Sequence, residues 1–356
     1  WTKSNNSLSV QRMNRHQNLL DLILVNTSDY SQNTILIETA ETYIDITDNL
    51  TFLNNKKQFI WTSEKDGYNH IYLYDINGKL VNQITQGDWD VSSYEGYDEA
   101  SRTIFYLSSE GSPIEKQLYA IGLDGKTKKK LTTKPGQNRA VFSKGFKYYI
   151  NYHSSANTPN YVTLHDGAGI EKRVLKDNAE LLKELEKFNI SQQEFFTFNT
   201  NEGTNLNAWM IKPQDFDESK KYPVLMYVYG GPGAQTVKNS WGGSNFFWYQ
   251  LLASKGYIIV SVDNRGTGSR GSEFKKCTYK QLGKYETIDQ IASAKYLQSL
   301  SFVDGNRIGI WGWSYGGYMS SNCLFKGSDI FKMAIAVAPV TNWRYYDSIY
   351  TERYMQ

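Results

Sequence analysis

Cysteine is scarce: Cys277 and Cys323 are the only two in 356 residues. Two thiols in a chain this long exclude a disulfide framework and leave the redox compartment open. No Cys/His cluster has ligand spacing, so no metal is implied. No apolar run is long enough to cross a bilayer. Charge of one sign is also missing. Against 36 acidic residues stand 39 basic ones, a net +3, too balanced to steer the chain onto nucleic acid. The densest basic stretch, Lys126 with Lys128, Lys129 and Lys130, follows Asp124-Gly125 and reads as a solvated loop. Histidine is confined to His16, His70, His153 and His165, all in the first half. An initiating Met is absent, and Trp1-Thr2-Lys3 reads like the middle of a protein, so the absence of a signal segment carries no information.

What is present begins with β structure. Aromatic residues make up 15% of the chain, 27 of them Tyr, a residue suited to half-buried pleated surfaces. Paired strand-like runs recur. Phe59–Ser63 precedes Ile71–Asp75 and Asn77-Gly78; Ile104–Ser108 precedes Leu118–Ile121 and Asp124-Gly125; Tyr148–Tyr152 precedes Tyr161–Leu164 and Asp166-Gly167. Asn-Gly and Asp-Gly predict two-residue hairpin turns, in which both central residues need positive φ. A fainter copy spans Leu22–Val25 and Ile35–Ile37. The turns at Asn77, Asp124 and Asp166 lie 47 and 42 residues apart, the period of four-stranded propeller blades. Three to four blades are expected, with others lying before Trp1. A β-sandwich with similar hairpins is the alternative.

Residues 177–193 read as a linker. Asp177-Asn178 caps a short helix with an apolar stripe of Leu181, Leu182, Leu185 and Phe188. From Glu194 strands alternate with helices. A hairpin of Phe195–Thr200 and Leu206–Ile211 comes first. Apolar strands are predicted at Val224–Tyr229, Tyr257–Val262, Ile308–Trp311 and Met333–Val337, and a helix over 286–300 turns Ile288, Ile291 and Leu297 inward. Such alternation means a buried parallel sheet. The expected organisation is therefore propeller blades over 1–176, the linker, and the first part of an α/β-hydrolase domain over 194–356.

Gly312-Trp313-Ser314-Tyr315-Gly316 is a G-x-S-x-G nucleophile elbow between a strand and a helix-compatible run, which points to Ser314 as a nucleophile. Its oxyanion donors would be the Tyr315 backbone N–H and a group from the loop Tyr229-Gly230-Gly231-Pro232-Gly233. Tyr229 offers a phenol there, although a packed strand-end Tyr fits the same pattern. Only 42 residues follow Ser314, and they contain no His, so the serine has no base within this sequence. Gly266-Thr267-Gly268 precedes no phosphate-type helix signature, and no organic cofactor is implied.

IGIWGWSYGGYMSS, AVAPVTNWRYYDSIYTERYM and YVYGGPGAQ together resemble the dipeptidyl peptidase IV family of the prolyl oligopeptidase clan. MNRHQN, residues 13–18, is similar to a propeller blade of bacterial members, which carries the resemblance back to about Trp1. The resemblance implies Ser314 as nucleophile and Tyr229 and Tyr315 as side-chain and backbone oxyanion donors. It implies Val340, Trp343, Tyr346 and Tyr350 as the lining of a pocket for the penultimate proline. The spacing of the last three by three and four residues predicts one helix face, which suits core packing equally well. The implied substrates are peptides with Pro or Ala in second position, cleaved to release N-terminal dipeptides. Glu64 and Glu110 do not match the family's amine-capturing Glu pair, which with the triad Asp and His is expected outside these residues; the chain alone is expected to be inactive. A periplasmic or secreted location and a homodimer are implied by bacterial members. Prolyl tripeptidyl peptidase is the nearest rival. A non-catalytic propeller–hydrolase binding protein and a small-ester hydrolase are the readings from other classes.

Overall fold

A computed structural model describes residues 1–356. Four antiparallel sheets come first. β1 (Ser7–Met13), β2 (Leu19–Asn26) and β3 (Gln32–Thr39) form the first. The second comprises β4 (Thr51–Phe52), β5 (Gln58–Ser63), β6 (His70–Asp75) and β7 (Leu80–Gln83). The third is β8 (Val91–Asp98), β9 (Thr103–Ser108), β10 (Gln117–Gly122) and β11 (Lys128–Lys130). The fourth is β12 (Gln137–Phe142), β13 (Tyr148–Ser155), β14 (Thr158–Asp166) and β15 (Glu171–Lys176). Sequential meanders of this kind are propeller blades. The middle strands of the second and third sheets bury nearly every residue, as in Phe59–Ser63 and His70–Tyr74, and aromatic and aliphatic side chains of neighbouring sheets pack between them.

The hairpin turns differ from the two-residue form. Gly78 and Gly125 have positive φ, but Asn77 and Asp124 do not. Asp75 O accepts from Gly78 N, Asp75 N donates to Lys79 O, and the Asp75 carboxylate accepts from Asn77 N and Lys79 N. This is a turn followed by one left-handed glycine, so only the glycine needs positive φ. In the last hairpin that residue is Gly169, not Gly167. The basic run also departs from expectation: Lys128–Lys130 is an exposed edge strand rather than a loop, and edge lysines deter unwanted strand pairing.

α1 (Ala179–Leu185) follows, with Asn178 left-handed at its N-cap and its side chain not capping. Asp177 instead accepts from Ala179 N. Of the expected stripe only Leu185 is buried; Leu181, Leu182 and Phe188 are exposed.

The second region is a six-stranded sheet in the order β16-β17-β19-β18-β20-β21. β16 (Gln193–Asn199) and β17 (Asn205–Ile211) form an antiparallel hairpin, and β17 lies antiparallel to β19 (Ile258–Asp263). β19, β18 (Tyr222–Tyr227), β20 (Val303–Trp313) and β21 (Phe331–Val337) run parallel. Every residue of β19 is buried, the mark of a strand covered on both faces. α2 (Phe246–Ser254), α3 (Gly271–Lys276), α4 (Tyr285–Gln298) and α5 (Tyr315–Lys326) connect these strands. The chain winds from β18 to β19 on one side and to β20 on the other, so β18 and β20 flank a topological switch point. Open α/β sheets bind ligands outside the carboxyl ends of strands at such a point. This is the α/β-hydrolase arrangement.

Two expectations fail here. β21 is not buried on both faces: Met333 and Ile335 are exposed. On α4, Ile288 and Ile291 are only half-buried, while Glu286, Asp289, Gln290 and Ser293 are buried with Ala294 and Leu297. The inward face of this helix is polar because its partners are polar.

Candidate active site

β20 hands directly to α5 through Ser314, whose backbone stands at φ 57°, ψ −114°. Positive φ is uncommon for serine and costs about 1–3 kcal/mol, so the surroundings must hold it. Ser314 N donates to Val337 O at 2.9 Å, and Ser314 O accepts from Tyr318 N at 3.1 Å. The glycines allow the necessary closeness. A Cβ on Gly312 would lie 2.3 Å from Val228 O, one on Gly316 2.1 Å from the same oxygen, and one on Gly317 2.8 Å from Val337 O. The elbow is thus pressed against the carboxyl ends of β18 and β21, and Ser314 is left half-buried.

Tyr315 opens α5. The first N–H groups of a helix have no partner within it, so the Tyr315 N–H, next to Ser314 in the chain, has no intrahelical acceptor. Its side chain goes the other way. The Tyr315 ring is buried, and its hydroxyl donates to Glu286 Oε1 at 2.6 Å. Glu286 Oε2 accepts from Gly283 N at 3.0 Å. Burial pushes the Glu286 carboxyl up to about 7, against the opposing pull of the Tyr315 hydrogen bond.

Tyr229 follows the end of β18. Val228 N donates to Trp311 O at 2.9 Å, which aligns this end with the elbow strand. The half-buried Tyr229 ring lies 6.0 Å from the Tyr315 ring. Gly231 makes room for both, since a Cβ there would meet Tyr229 at 2.8 Å and Tyr315 at 3.1 Å. Gly230 stands at φ 76°, with its carbonyl accepting from Asn264 Nδ2 at 3.1 Å. Burial raises the Tyr229 phenol above its ordinary value, with Tyr346 and Tyr354 adding to the effect. Its hydroxyl therefore stays protonated, and available to donate, at neutral pH.

The remaining aromatics gather at the same place. Trp343 lies 5.6 Å from Tyr315, 5.8 Å from Tyr346 and 5.7 Å from Tyr350, stacking on the last. Tyr346 meets Tyr350 edge-on at 5.2 Å, and Val340 is buried. They do not share a helix face. Trp343 is in a 3₁₀ turn, Tyr346 is extended, and Tyr350 sits in α6 (Ser348–Tyr354), which Asp347 caps by accepting from Tyr350 N. The change of direction at Tyr346–Asp347 brings rings from three local conformations into one cluster.

The four histidines lie in or between blade strands. His70 bonds Thr85 and Gly87 O, His153 bonds Pro135 O, and His165 bonds Thr163 and Gly169 O. None of these partners belongs to the elbow. Glu64 binds Lys275 and Lys276 across to the hydrolase region, and Glu110 binds Lys128. A cavity of about 1290 Å³ lies between the blades and the hydrolase sheet, edged by Glu38, Glu64 and Lys65 on one side and Pro232, Gln235 and Lys275 on the other. Ser314 does not line it; the loop after Tyr229 does.

Sequence reasoning missed Glu286 and the polar network beside it. Arg265 pairs with Asp289 at 2.7 Å, and Gln290 Nε2 donates to Asn264 Oδ1 at 3.0 Å. The signal present was the polar spacing of Glu286, Asp289, Gln290 and Ser293, which repeats at helical period like an apolar stripe.

Comparison with known proteins agrees with this fold. Residues 1–160 match the family described as "Dipeptidyl peptidase IV (DPP IV) N-terminal region", and residues 244–356 match the "Prolyl oligopeptidase family". Dipeptidyl peptidase 4 of Trichophyton equinum is 34% identical over 309 residues, covering 85% of this chain and 40% of that protein. Prolyl endopeptidase FAP of Bos taurus is 40% identical over 306 residues, covering 82% and 39%. The crystal structure of Porphyromonas gingivalis dipeptidyl peptidase 4 superposes with a TM-score of 0.95 at 45% identity, covering all of this chain and 50% of that one. The chain spans half or less of the length of these three proteins.

Proposed function

Since the chain belongs to the dipeptidyl peptidase IV family of the prolyl oligopeptidase clan, we propose that its protein is a serine exopeptidase that releases X-Pro and X-Ala dipeptides from peptide N-termini. The observation that carries this reading is Ser314 at positive φ between β20 and α5, with the aromatic cluster in ring contact with Tyr315.

In this mechanism Ser314 Oγ attacks the carbonyl that follows the penultimate residue, and its proton passes to an imidazole base. None of the four histidines here is bonded near the elbow, so that base is supplied from outside these residues. The tetrahedral oxyanion accepts from the Tyr315 N–H and the Tyr229 hydroxyl. The C–N bond breaks, the amine leaves with the proton, and water later releases the dipeptide from Ser314. Val340, Trp343, Tyr346 and Tyr350 hold the penultimate side chain. A rigid pyrrolidine ring fits flat aromatic walls with little entropy to lose. No helix is long and apolar enough to cross a membrane. A periplasmic or secreted homodimer, as the family resemblance implies, completes the reading; sedimentation of the full-length protein tests the dimer.

The decisive experiment is hydrolysis of a free-amine Gly-Pro chromogenic reporter by the full-length protein. Turnover that Ser314→Ala abolishes is the expected outcome. Undiminished turnover in Ser314→Ala removes the serine mechanism. Faster release from Ala-Ala-Pro than from Gly-Pro replaces dipeptidyl with tripeptidyl specificity.

A further inference from the structure

α6 is a short helix, and only one end of it is tied by backbone to the hydrolase region, through Lys280 N donating to Tyr354 O at 2.8 Å. Much of its anchoring comes from the blades. Gln17, in the connection between β1 and β2, reaches it with both ends of its side-chain amide. Nε2 donates to Ile349 O at 2.8 Å, and Oε1 accepts from Arg353 Nε at 2.6 Å. These partners lie 332 and 336 residues away in sequence. Tyr43 adds an edge-on contact with Tyr354 at 4.9 Å, and Tyr354 in turn meets Tyr350 at 4.7 Å. An Arg15–Glu352 ion pair lies outside these, but it is exposed and screened.

Gln17 itself is 7% exposed and stands at φ 56°. Left-handed backbone is unfavourable for glutamine, and such outliers persist where surrounding structure over-determines them. Its backbone is fixed on both sides: Gln17 N donates to Asn14 O at 3.0 Å, and Gln17 O accepts from Ile44 N at 2.8 Å. The strained residue thus joins the β1–β2 connection, the segment after β3 and α6.

We infer that Gln17 is a positioning residue for the pocket formed by Trp343, Tyr346 and Tyr350, so that a blade residue helps set preference for proline over alanine at the penultimate position. This rests on the function proposed above. Trp343 stacks on Tyr350, so a shift of α6 opens the wall that a pyrrolidine ring fills. An alanine methyl touches less of that wall and is less sensitive to its position.

Gln17→Gly tests this in the full-length protein. Glycine adopts the left-handed backbone without strain, so the connection and its backbone bonds are retained while the amide bridge is lost. Two measurements are made: amide hydrogen exchange over residues 341–355, and kcat and KM on Gly-Pro and Gly-Ala reporters. The expected result is exchange faster by about tenfold, as for loss of about one net hydrogen bond's contribution. KM for Gly-Pro rises by a similar factor, with Gly-Ala changed less than about twofold. Unchanged exchange overturns the inference whatever the protein's activity. Faster exchange with equal losses on both reporters overturns the specificity role and leaves Gln17 a structural tether. Failure of the unaltered protein on both reporters instead overturns the proposed function, and the proline preference with it.

Discussion

Glu286→Gln should lower stability slightly in acid and raise it in alkali. Glu286 is fully buried beneath the elbow, and burial raises its carboxyl from 4.5 to about 7. The folded protein therefore holds this proton more tightly than the unfolded chain does. Its favourable contribution is complete below pH 4.5. Between pH 4.5 and about 7 the unfolded chain releases the proton first, and stability falls as pH rises. Above that range the loss is complete, and the gap corresponds to about 3 kcal/mol. Glutamine has no proton to lose. Its amide oxygen can accept from Gly283 N, and its amino group can donate to the Tyr315 oxygen, so the exchange carries a pH-independent cost of about 1 kcal/mol. Denaturant unfolding of both proteins at pH 4.5 and 8.5, followed by tryptophan fluorescence, isolates the group by difference. The variant should gain about 3 kcal/mol on its parent between the two pH values. A gain below about 1 kcal/mol would refute the argument that burial raises the Glu286 carboxyl.

Tyr229→Phe should lower kcat on Gly-Pro reporters by about 10²–10³-fold if the phenol serves the oxyanion; a loss under about threefold would remove it from that role. Gly316→Ala puts a Cβ 2.1 Å from Val228 O, a contact with backbone that no side-chain rotation relieves, so the variant should lose the native near-ultraviolet circular dichroism of the hydrolase region; a native spectrum with full activity would show that the elbow can shift. Arg265→Ala strips Asp289, whose side chain is 0% exposed, of its cation. Leaving that carboxylate buried and unpaired should cost about 3–5 kcal/mol, and a loss below about 1 kcal/mol would mean that Asp289 simply takes up a proton.

Features closed within a short stretch of chain were readable from residues alone. The blades announce themselves through paired apolar runs at a regular period, and β5–β6, β9–β10 and β13–β14 lie where those runs are. The turns between strands were harder, because Asn-Gly and Asp-Gly suit more than one hairpin type. The Asp75 carboxylate, two residues before Asn77, selects a turn in which a single glycine is left-handed. The elbow was legible because strand, serine and helix are contiguous.

Features closed by distant residues were not. Apolar periodicity pointed Ile288 and Ile291 inward, yet Glu286, Asp289 and Gln290 occupy the buried face, since Tyr315, Arg265 and the Val262 carbonyl await them there. A helix face is chosen by what it meets, and hydrophobicity predicts that choice only when the opposing surface is apolar. The same reasoning covers Trp343, Tyr346 and Tyr350. Their spacing suggested a shared face on one helix, whereas a 3₁₀ turn, an extended residue and a capped helix bring the rings together. The proximity is real and the local geometry behind it is different, because Asp347 starts α6 one residue after Tyr346. Gln17 marks the limit: nothing in its neighbourhood distinguishes it from any turn glutamine, and its meaning arises only when Arg353, 336 residues on, comes to lie against it.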